Sequence, residues 1–400
     1  MSQERADLQN LPFAVPVHAR NIRGKCGNGF MFWLGCATIG RMRVDNFGAG
    51  PCTLPLDILE EAREEFLDFS GSGMSVLEMS HRSEVYSAVH AQALSLAREV
   101  SGAPAHFEVM VIPGGATMQF AMVPVNLLGN RNKGAYVTAG SWGVLALADA
   151  QRWGDAYCAW DGKPHRYARM PLADEVAIRP DTAFLHLTSN ETIGGIRMVE
   201  SLEVDLPQVC DMSSDFLSRP IDWDRYHLVY GGVQKNLAPA GMALVFIRRS
   251  MLEGISPVLP RMLDYRWYAA KDSLGNTPPV FPIYLMGKML KRIRDLGGIP
   301  GLEERTARKA GLIYEVIDQS DGYYHSPVVR RYRSHTNVVF RLPTAEAEAR
   351  FLRESHAAGL VGLRGHKSVG GCRASLYAGL EVDSAQRLAS FMDDFRLNRA

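Results

Sequence analysis

Short apolar runs, each closed by glycine or polar residues, recur along the first three quarters of the chain. Runs of this kind are typical of strands buried in a parallel sheet. We predict strands at 107–112, 135–138, 182–187, 209–211, 227–230 and 242–247. Stretches with apolar residues at helical spacing lie between and before these runs. The alternation predicts an α/β fold in which helices flank a parallel sheet.

Two stretches before the first strand are typical of amphipathic helices. One begins near Pro55, and its predicted buried face carries Ile58, Leu59, Ala62 and Phe66. In the other, the side chains predicted to face inward are Val85, Val89, Ala93 and Leu96. Both predictions follow from the spacing of three or four residues that places side chains on one face of a helix.

The pattern changes after two further predicted helices, at 282–296 and 302–317. A strand at 337–342 follows, then a helix at 345–358 that Thr344 can cap, and a last helix with Leu388, Phe391 and Phe395. These elements predict a smaller α/β domain, hinged to the first near 297–301. We assign 56–300 to a large cofactor-binding domain, and 44–55 with 301–400 to the small domain.

The first 43 residues differ from the rest. Acidic residues come early, at Glu4 and Asp7, and a basic cluster at 20–25 precedes an apolar patch at 30–34. A secretory signal would carry its basic residues first. We therefore predict a disordered or targeting extension at 1–43, with Met42 as the functional start.

Composition limits the partners and the compartment. With 44 basic and 43 acidic residues in 400, the chain has no general field for nucleic acid or an acidic membrane. Its six cysteines form no CxxC pair and no metal-ligand cluster, which is typical of reduced thiols. No apolar stretch is long enough to span a bilayer. We predict small-molecule substrates, no metal and a cytoplasmic location, or an organellar one through the extension.

Asp211 and Lys235 follow two of the predicted strands, 209–211 and 227–230. Functional groups in parallel sheets lie just past the carboxyl ends of the strands, so these side chains are expected in one crevice. Pyridoxal phosphate needs such a pair, because an amine binds its aldehyde and a carboxylate keeps its ring nitrogen protonated. The alternative is a structural aspartate and a surface lysine.

Other strand ends carry groups that suit the same cofactor. The strand at 107–112 runs into a Gly-Gly turn and a helix, the layout of a phosphate cradle, although a single Gly-Gly pair is a weak signal. Trp142 follows the strand at 135–138 and can stack on a planar ring or belong to the core. Thr192 follows the strand at 182–187, where its hydroxyl can bond to a ring substituent.

Two cationic clusters stand out in a nearly neutral chain. The first is His81 and Arg82, and the second is His366, Lys367 and Arg373. Arginine presents a planar fork that suits carboxylate or phosphate, so the clusters predict an anionic substrate. Arg82 could instead cap a helix or pair with a neighbouring acid, and the second cluster could be a solvated loop.

Several strings resemble those of the phosphoserine aminotransferase family, a group of class V pyridoxal-phosphate-dependent aminotransferases. They occur in family order and together cover nearly everything from Met42 onwards. The strings are NFGAGP at 46–51, GMSVLEMSHRS at 73–83, SNETIGG at 189–195, DMSSDFLSRPID at 211–222, QKN at 234–236, NTPP at 276–279 and GHKSVGGCRASLY at 365–377.

This resemblance implies the fold type I of pyridoxal-phosphate-dependent transferases. The large domain would hold a mainly parallel seven-stranded sheet flanked by helices, beside a smaller C-terminal α/β domain. It implies a homodimer with a shared active site that moves an amino group from L-glutamate to 3-phosphohydroxypyruvate in a ping-pong cycle. The products would be O-phospho-L-serine and 2-oxoglutarate, in serine biosynthesis, and 4-phosphohydroxy-L-threonine could be a further substrate. A serine or alanine–glyoxylate type of class V enzyme and a non-catalytic dimeric relative remain alternatives.

The resemblance also implies roles for individual residues. Lys235 would form the Schiff base and carry the proton, while Asp211 would hold the pyridinium N–H. Thr192 would bond the ring hydroxyl oxygen, and Trp142 would stack on the ring. The cofactor phosphate would be held by Ala116, Thr117 and Gln234, and by Asn276 and Thr277 from the partner subunit.

For the substrate, the resemblance implies that Arg373 takes the α-carboxylate. The distal phosphate, or the γ-carboxylate of glutamate, would meet His366, Lys367 and, from the partner subunit, His81 and Arg82. Lys367 stands where the family commonly has arginine, so a point charge replaces a fork there. Gly48 stands where many members carry serine, which leaves any side-chain contact to substrate at that position in doubt.

Overall fold

The computed structural model of the protein describes residues 43–129, 133–255 and 258–397. The predicted extension at 1–43 lies outside these ranges except for Arg43, so its nature stays a prediction.

Strands and helices alternate along the described chain, as the apolar pattern predicts. The strands are β1 Asp45–Asn46, β2 Phe107–Pro113, β3 Lys133–Thr138, β4 Ala156–Asp161, β5 Thr182–Thr188, β6 Asn190–Glu191, β7 Ile196–Arg197, β8 Gln208–Asp211, β9 Tyr226–Gly232, β10 Met242–Arg248, β11 Asn337–Phe340, β12 Leu360–Val361 and β13 Cys372–Ser375. The helices are α1 Leu56–Glu64, α2 Glu84–Ser101, α3 Gly115–Leu127, α4 Ser141–Trp153, α5 Arg249–Glu253, α6 Tyr265–Ala269, α7 Val280–Asp295, α8 Gly298–Asp318, α9 Ala345–Ala357 and α10 Val382–Leu397.

One seven-stranded sheet within the described ranges dominates the fold, in the order β2-β10-β9-β8-β5-β3-β4. The pairs β9–β8, β8–β5, β5–β3 and β3–β4 are parallel, whereas β10 runs antiparallel to both β9 and β2. The prediction of a mainly parallel seven-stranded sheet is therefore confirmed. Strand β4 was not predicted. It lies at the edge, and exposed Cys158 and Asp161 interrupt its apolar pattern.

Both faces of this sheet are buried, which explains why its strands are continuously apolar. Successive residues of β2 alternate between two hydrophobic clusters: Val109 and Val111 join one, and Met110 and Ile112 join the other. Helices α2 and α7 contribute to the first cluster and α3 to the second. The sheet therefore forms the middle layer between two layers of helices.

The first two predicted helices are present, but two side chains predicted to be buried, Phe66 and Val85, are exposed. Helix α1 ends at Glu64, so Phe66 lies beyond it with 42% of its surface exposed. In α2, Ser83 caps the first turn by accepting a hydrogen bond from the Tyr86 N–H, and Tyr86 is the buried residue there. Val85 is 43% exposed. The predictions for Phe66 and Val85 were wrong because the helix ends turn these side chains away from the core.

A third hydrophobic cluster lies mostly in the part of the chain that follows the strands of the large sheet. It combines Phe47 with residues of α8, α9, α10 and the β11–β13 pair, in which β13 runs antiparallel to β11. The short strand β1 pairs in parallel with β12 and brings the beginning of the described chain to this cluster. Thr344 caps α9 by accepting a hydrogen bond from the Ala347 N–H, as predicted. The assignment of 44–55 and 301–400 to a separate domain stays a prediction.

Helices of the described ranges offer no segment with the length and apolar character needed to cross a bilayer. In the same ranges, no group of three or more histidine, cysteine, aspartate or glutamate side chains is arranged to hold a metal ion.

Candidate active site

A cavity of about 620 Å³ opens at the edge of the sheet where the parallel strands end. Strands β3, β5, β8 and β9 end there, and β10 begins there because it runs the other way. Most of the residues predicted to bind cofactor or substrate line this one cavity. They are Ala116, Thr117, Trp142, Thr192, Asp211, Gln234, Lys235, His366 and Arg373.

Lys235 lies just past the end of β9 and is 8% exposed. Its Nζ donates a hydrogen bond of 2.8 Å to Thr192 Oγ1 and lies 5.4 Å from the centre of the Trp142 ring. Burial lowers the pKa of Lys235 to about 8, although the charges of Asp211 and Glu191 favour the protonated form. A larger share of this amine is therefore neutral, and so nucleophilic, near neutral pH than in an exposed lysine.

Asp211 ends β8 next to β9, and its carboxylate faces the same cavity. Its Oδ1 accepts two hydrogen bonds from Ser213, from the backbone N–H at 2.9 Å and from the hydroxyl at 2.6 Å. Among the described residues, Oδ2 has no hydrogen-bond partner. Burial raises the pKa of Asp211, while Ser213 and the Lys235 charge oppose the shift. Ser213 therefore fixes Oδ1, and Oδ2 is available to accept a hydrogen bond from a ligand.

The turn between β2 and α3 forms the opposite wall. Gly114 and Gly115 adopt left-handed conformations, with φ of 96° and 66°, which glycine accepts without strain. Gly114 precedes the helix and provides no side-chain cap, so the first N–H groups of α3 are open to a ligand. A helix N-terminus of this kind suits a phosphate group. Ala116 and Thr117 lie in this first turn, as the phosphate prediction requires.

Trp142 lies in the first turn of α4, directly after β3. Its indole Nε1 is buried and has no hydrogen-bond partner among the described residues. The backbone N–H groups of Trp142 and Gly143 donate to the two carboxylate oxygens of Glu191, at 3.1 and 2.9 Å. Glu191 was not predicted from the sequence, although it lies within the SNETIGG string.

Arg373 reaches the cavity from β13 and is 9% exposed. Its Nε is buried and unpartnered among the described residues. His366 also lines the cavity, and its Nδ1 lies 2.7 Å from Ser368 Oγ. Asn236, next to the lysine, accepts a hydrogen bond of 2.9 Å from the Ala378 N–H. The lysine segment is thereby bonded to the chain that follows β13.

The remaining predicted site residues do not line the cavity of this chain. His81 is buried, with Nε2 unpartnered among the described residues, and Arg82 is exposed. Asn276 has a buried, unpartnered Oδ1, and Thr277 is exposed. Lys367 is exposed beside His366. The roles of these residues stay predictions.

Three lining segments were missed. Ala49, Gly50 and Pro51 contact the cavity, as do Ser213 and the pair Ala240 and Gly241. Membership of the NFGAGP and DMSS strings was the signal that could have found the first and second groups. Nothing marks Ala240 and Gly241 in the sequence, because their place depends on the reversed direction of β10.

These residues fit pyridoxal phosphate. A buried amine faces the cavity together with a carboxylate oxygen that has no partner, as the ring nitrogen and aldehyde require. An open helix N-terminus suits the phosphate, and the Trp142 ring provides a flat wall. Arg373 lines the cavity, and its guanidinium suits the carboxylate of a substrate.

This fold and this cavity define a pyridoxal-phosphate-dependent aminotransferase. The profile of the family "Aminotransferase class-V" matches residues 44–388. Phosphoserine aminotransferase of Laribacter hongkongensis is 45% identical over 354 residues, which cover 88% of this chain and 99% of that protein. The chain belongs to the phosphoserine aminotransferase family.

Solved structures agree. Phosphoserine aminotransferase from Bacillus circulans subsp. alkalophilus superposes with a TM-score of 0.87 at 43% identity, covering 90% of this chain and 99% of that one. Phosphoserine aminotransferase from Trichomonas vaginalis, solved with pyridoxal phosphate bound, gives a TM-score of 0.84 at 33% identity, with coverages of 88% and 100%. The predictions of fold, enzyme class and cofactor are confirmed, and the non-catalytic alternative is not supported.

Proposed function

We propose that the chain transfers the amino group of L-glutamate to 3-phosphohydroxypyruvate, giving 2-oxoglutarate and O-phospho-L-serine, with 4-phosphohydroxy-L-threonine as a further substrate. The observation that carries this proposal is the convergence of Lys235, Asp211 and Arg373 on one cavity. The amine, the carboxylate and the guanidinium come from three separated segments, and a structural role alone gives no reason for them to meet. The family relationship supports the substrate pair.

Lys235 is the base in this proposal. When bound, pyridoxal phosphate supplies an electron sink that makes the substrate's α-hydrogen acidic. Lys235 Nζ takes the proton from the α-carbon and returns it later in the cycle, which a lysine with a lowered pKa can do near neutral pH. The hydroxyl of Thr192, 2.8 Å from Nζ, holds the amine at the cavity wall.

Asp211 and Trp142 orient the cofactor. Oδ2 of Asp211, which has no partner among the described residues, would accept a hydrogen bond from the ring N–H of a bound cofactor, and its negative charge would keep that nitrogen protonated. Ser213 fixes the carboxylate through two hydrogen bonds to Oδ1, so the aspartate cannot turn away. The Trp142 indole provides the stacking surface. The open turn of α3 and Gln234 hold the phosphate.

The substrate has two anionic ends, and the chain provides two cationic groups of residues. The guanidinium of Arg373 is the donor for the α-carboxylate. His366 and Lys367 are proposed to meet the distal phosphate of phosphoserine or the γ-carboxylate of glutamate. Use of the same distal site in both half-reactions explains how one cavity serves two amino donors in turn.

We further propose a homodimer with shared active sites. His81, Arg82, Asn276 and Thr277 do not line the cavity of their own chain, and they complete the predicted set of ligands only if a second subunit brings them. The segment that carries His81 and Arg82 also exposes several apolar side chains, namely Phe66, Leu67, Met74, Leu77 and Val85. Exposed apolar surface of this kind suits a subunit interface.

A cytoplasmic location is part of the same proposal. The described cysteines Cys52, Cys158, Cys210 and Cys372 are free thiols, which suits a reducing compartment.

Subunit mixing tests the shared site. Lys235→Ala disables the cavity of its own chain, whereas Arg82→Ala is expected to disable the cavity of its partner. In a heterodimer of the two variants one site would be intact, so a refolded equal mixture should recover about a quarter of wild-type activity. Arg373→Ala mixed with Lys235→Ala is the matched control: each change disables the cavity of its own chain, so the heterodimer has no intact site and activity should not recover. A third mixture provides a second control.

In that third mixture Arg82→Ala is combined with Asn276→Ala, both of which act in the partner's cavity under the proposal, so this mixture too should stay inactive. Each variant is first assayed alone. If Arg82 acted in its own chain, a heterodimer of Lys235→Ala with Arg82→Ala would have no intact cavity and activity would not recover. The converse comparison is a co-expressed heterodimer in which one subunit carries both Lys235→Ala and Arg82→Ala and the other is wild type. A shared site leaves that heterodimer inactive, and a site within one chain leaves one cavity active.

The substrate proposal is tested by comparing O-phospho-L-serine with L-serine as amino donor to 2-oxoglutarate. Phosphoserine should be preferred by at least about 100-fold in kcat/KM, because a charge-paired phosphate is lost in serine. Arg82→Ala should reduce that preference while the visible absorbance of the bound cofactor stays unchanged. A saturable preference for serine would favour a class V enzyme of the serine or alanine–glyoxylate type.

The pKa of Lys235 predicts how the rate of covalent pyridoxal phosphate uptake by the cofactor-free protein depends on pH. The amine reacts when neutral, so the rate should rise about tenfold per pH unit below its pKa and level off above it. Levelling is expected near pH 8, the value to which burial lowers the pKa. Stopped-flow absorbance measures this rate. Levelling only near pH 10.4, roughly the value of an exposed lysine, would contradict the prediction.

A further inference from the structure

Helix α4 begins at the cavity without a side-chain cap of its own. The residue before it is Gly140, which has no side chain to accept a hydrogen bond from the first turn. The carboxylate of Glu191, which lies 48 residues after Gly143, takes that place. Its Oε2 accepts from the Trp142 N–H at 3.1 Å and its Oε1 from the Gly143 N–H at 2.9 Å. A carboxylate at this position satisfies two open donors and matches the positive end of the helix dipole.

The surrounding chain makes room for this carboxylate. A Cβ added at Gly140 would lie 2.5 Å from Glu191 Cδ, and one at Gly143 would lie 2.6 Å from the carbonyl oxygen of Val137. Glu191 is completely buried. Its backbone is fixed as well, since its carbonyl accepts a hydrogen bond of 2.8 Å from the Gly195 N–H. The cap is therefore a close-packed arrangement, in which Gly140 allows the approach of the buried acid and Gly143 allows α4 to approach β3.

Glu191 stands between two residues that face the cofactor cavity. On one side it holds the backbone of Trp142, and on the other it precedes Thr192, whose hydroxyl accepts the hydrogen bond from Lys235 Nζ. We propose that Glu191 is a positioning residue for the cofactor, which fixes the Trp142 ring relative to the Thr192–Lys235 pair through its two hydrogen bonds to α4. This inference rests on the proposed stacking role of Trp142.

The charge of Glu191 acts on the same site. Glu191 interacts electrostatically with three titratable groups, namely Asp211, Lys235 and Tyr167. Burial raises the pKa of Glu191 to about 7, although the two backbone N–H groups and Lys235 favour its charged form. In return, its negative charge raises the pKa of Lys235. The effect of the hydrogen bonds from α4 to Glu191 can be separated from the effect of its charge, because a different side chain can cap the helix.

Gly140 offers that second cap. Its backbone is extended, with φ −172° and ψ −165°, a conformation that any residue adopts. Serine at such a position can accept a hydrogen bond from the second or third N–H of the helix. Glu191→Ala removes the atoms nearest to a Cβ at Gly140, so Gly140→Ser combined with Glu191→Ala can restore a cap without restoring the charge.

The experiment measures cofactor dissociation constants by equilibrium dialysis and the visible circular dichroism of the bound cofactor. Glu191→Ala should weaken cofactor binding by about tenfold and reduce the dichroism, since loss of a helix cap loosens the first turn. The Gly140→Ser, Glu191→Ala double variant should recover most of both signals. Its covalent uptake of cofactor should level off at a lower pH than in the wild type, because the charge is still missing. Glu191→Gln, which keeps one acceptor oxygen, should lie between wild type and Glu191→Ala and serves if the alanine variant fails to fold.

Glu175→Gln is the matched control. Glu175 also accepts a hydrogen bond from a backbone N–H, that of Leu172 at 2.8 Å, but it pairs with Arg169 and does not line the cavity. This change should leave the dissociation constant and the dichroism at their wild-type values. Equal effects of Glu175→Gln and Glu191→Gln would overturn the inference, because they would reflect general loss of stability.

Trp142→Ala separates failure of the inference from failure of the proposed function. If Trp142→Ala reduces the dichroism and neither Glu191→Ala nor Glu191→Gln does so, the positioning role is wrong and the stacking role stands. If none of these changes affects the signal, the stacking role is wrong and the inference falls with it. If the double variant stays as impaired as Glu191→Ala, the hydrogen bonds to α4 are not the cause.

Discussion

Replacing Lys235 by alanine should reduce turnover by at least about 10⁴-fold, because one side chain supplies both the nucleophilic amine and the base. Pyridoxal phosphate should still bind, held by the α3 turn, Asp211 and Trp142, but without a covalent bond to the protein. Borohydride reduction followed by mass spectrometry should find the cofactor on Lys235 in the wild type and on no residue in the variant.

Lys309 provides a matched control for this experiment. It is also buried, in α8, where its Nζ donates to the carbonyl oxygens of Tyr377 and Leu380 at 2.7 and 2.9 Å. Burial lowers its pKa to about 7. Lys309→Met should cost about 1–3 kcal/mol in the free energy of unfolding, since two carbonyls lose their donors. Covalent attachment at Lys235 should persist. A cofactor found on Lys309 would refute the assignment of Lys235.

Asp211→Asn should lower kcat by about 10²–10³-fold, the loss typical when a charge that stabilises a transition state is removed. An asparagine amide is neutral, so it no longer keeps the ring nitrogen protonated, although its oxygen can still accept hydrogen bonds from Ser213. Covalent attachment to Lys235 should remain, which distinguishes this variant from Lys235→Ala. Rapid-scan absorbance during a single half-reaction, together with steady-state kcat, measures the effect.

Asp215→Asn tests whether any buried aspartate near the sheet edge has the same effect. Asp215 accepts hydrogen bonds from Ser189 and, at 2.9 Å, from Arg219 Nε, and it does not line the cavity. Its substitution should lower the free energy of unfolding by about 1–3 kcal/mol with kcat nearly unchanged. A loss of kcat equal to that of Asp211→Asn would show that general electrostatics, and not contact with the ring nitrogen, explains the first result.

The sheet and its catalytic edge could be predicted because both follow from local patterns. Strands buried on two faces are continuously apolar, and polar groups after such strands must gather at the edge where parallel strands end. Lys235, Asp211, Thr192 and Trp142 meet there as expected. Arg373 stood out only as part of a cationic cluster, and the family strings then assigned it to the same site, because it comes from a distant strand that local patterns do not connect with the sheet.

Other features depend on contacts between distant segments, which the pattern of apolar residues along the chain does not predict. Phe66 and Val85 have helical spacing, but the end of one helix and the capped start of the next decide which way they face. Glu191 caps α4 from a distance in the sequence, since it lies 48 residues after Gly143, so no capping motif marks it. Strand β4 lies at the edge of the sheet, where exposed residues interrupt the apolar run that would have predicted a strand.

The hydrogen bond between Asn236 and Ala378 has a mechanical consequence. It joins the segment that carries Lys235 to the segment that follows Arg373, the arginine proposed to bind the substrate carboxylate. A second connection runs through residues 47–52, because the Ser375 N–H donates to the Phe47 carbonyl and the Cys52 N–H donates to the Gln234 carbonyl. A movement of β13 on substrate binding would therefore have to move the lysine segment with it or break these hydrogen bonds.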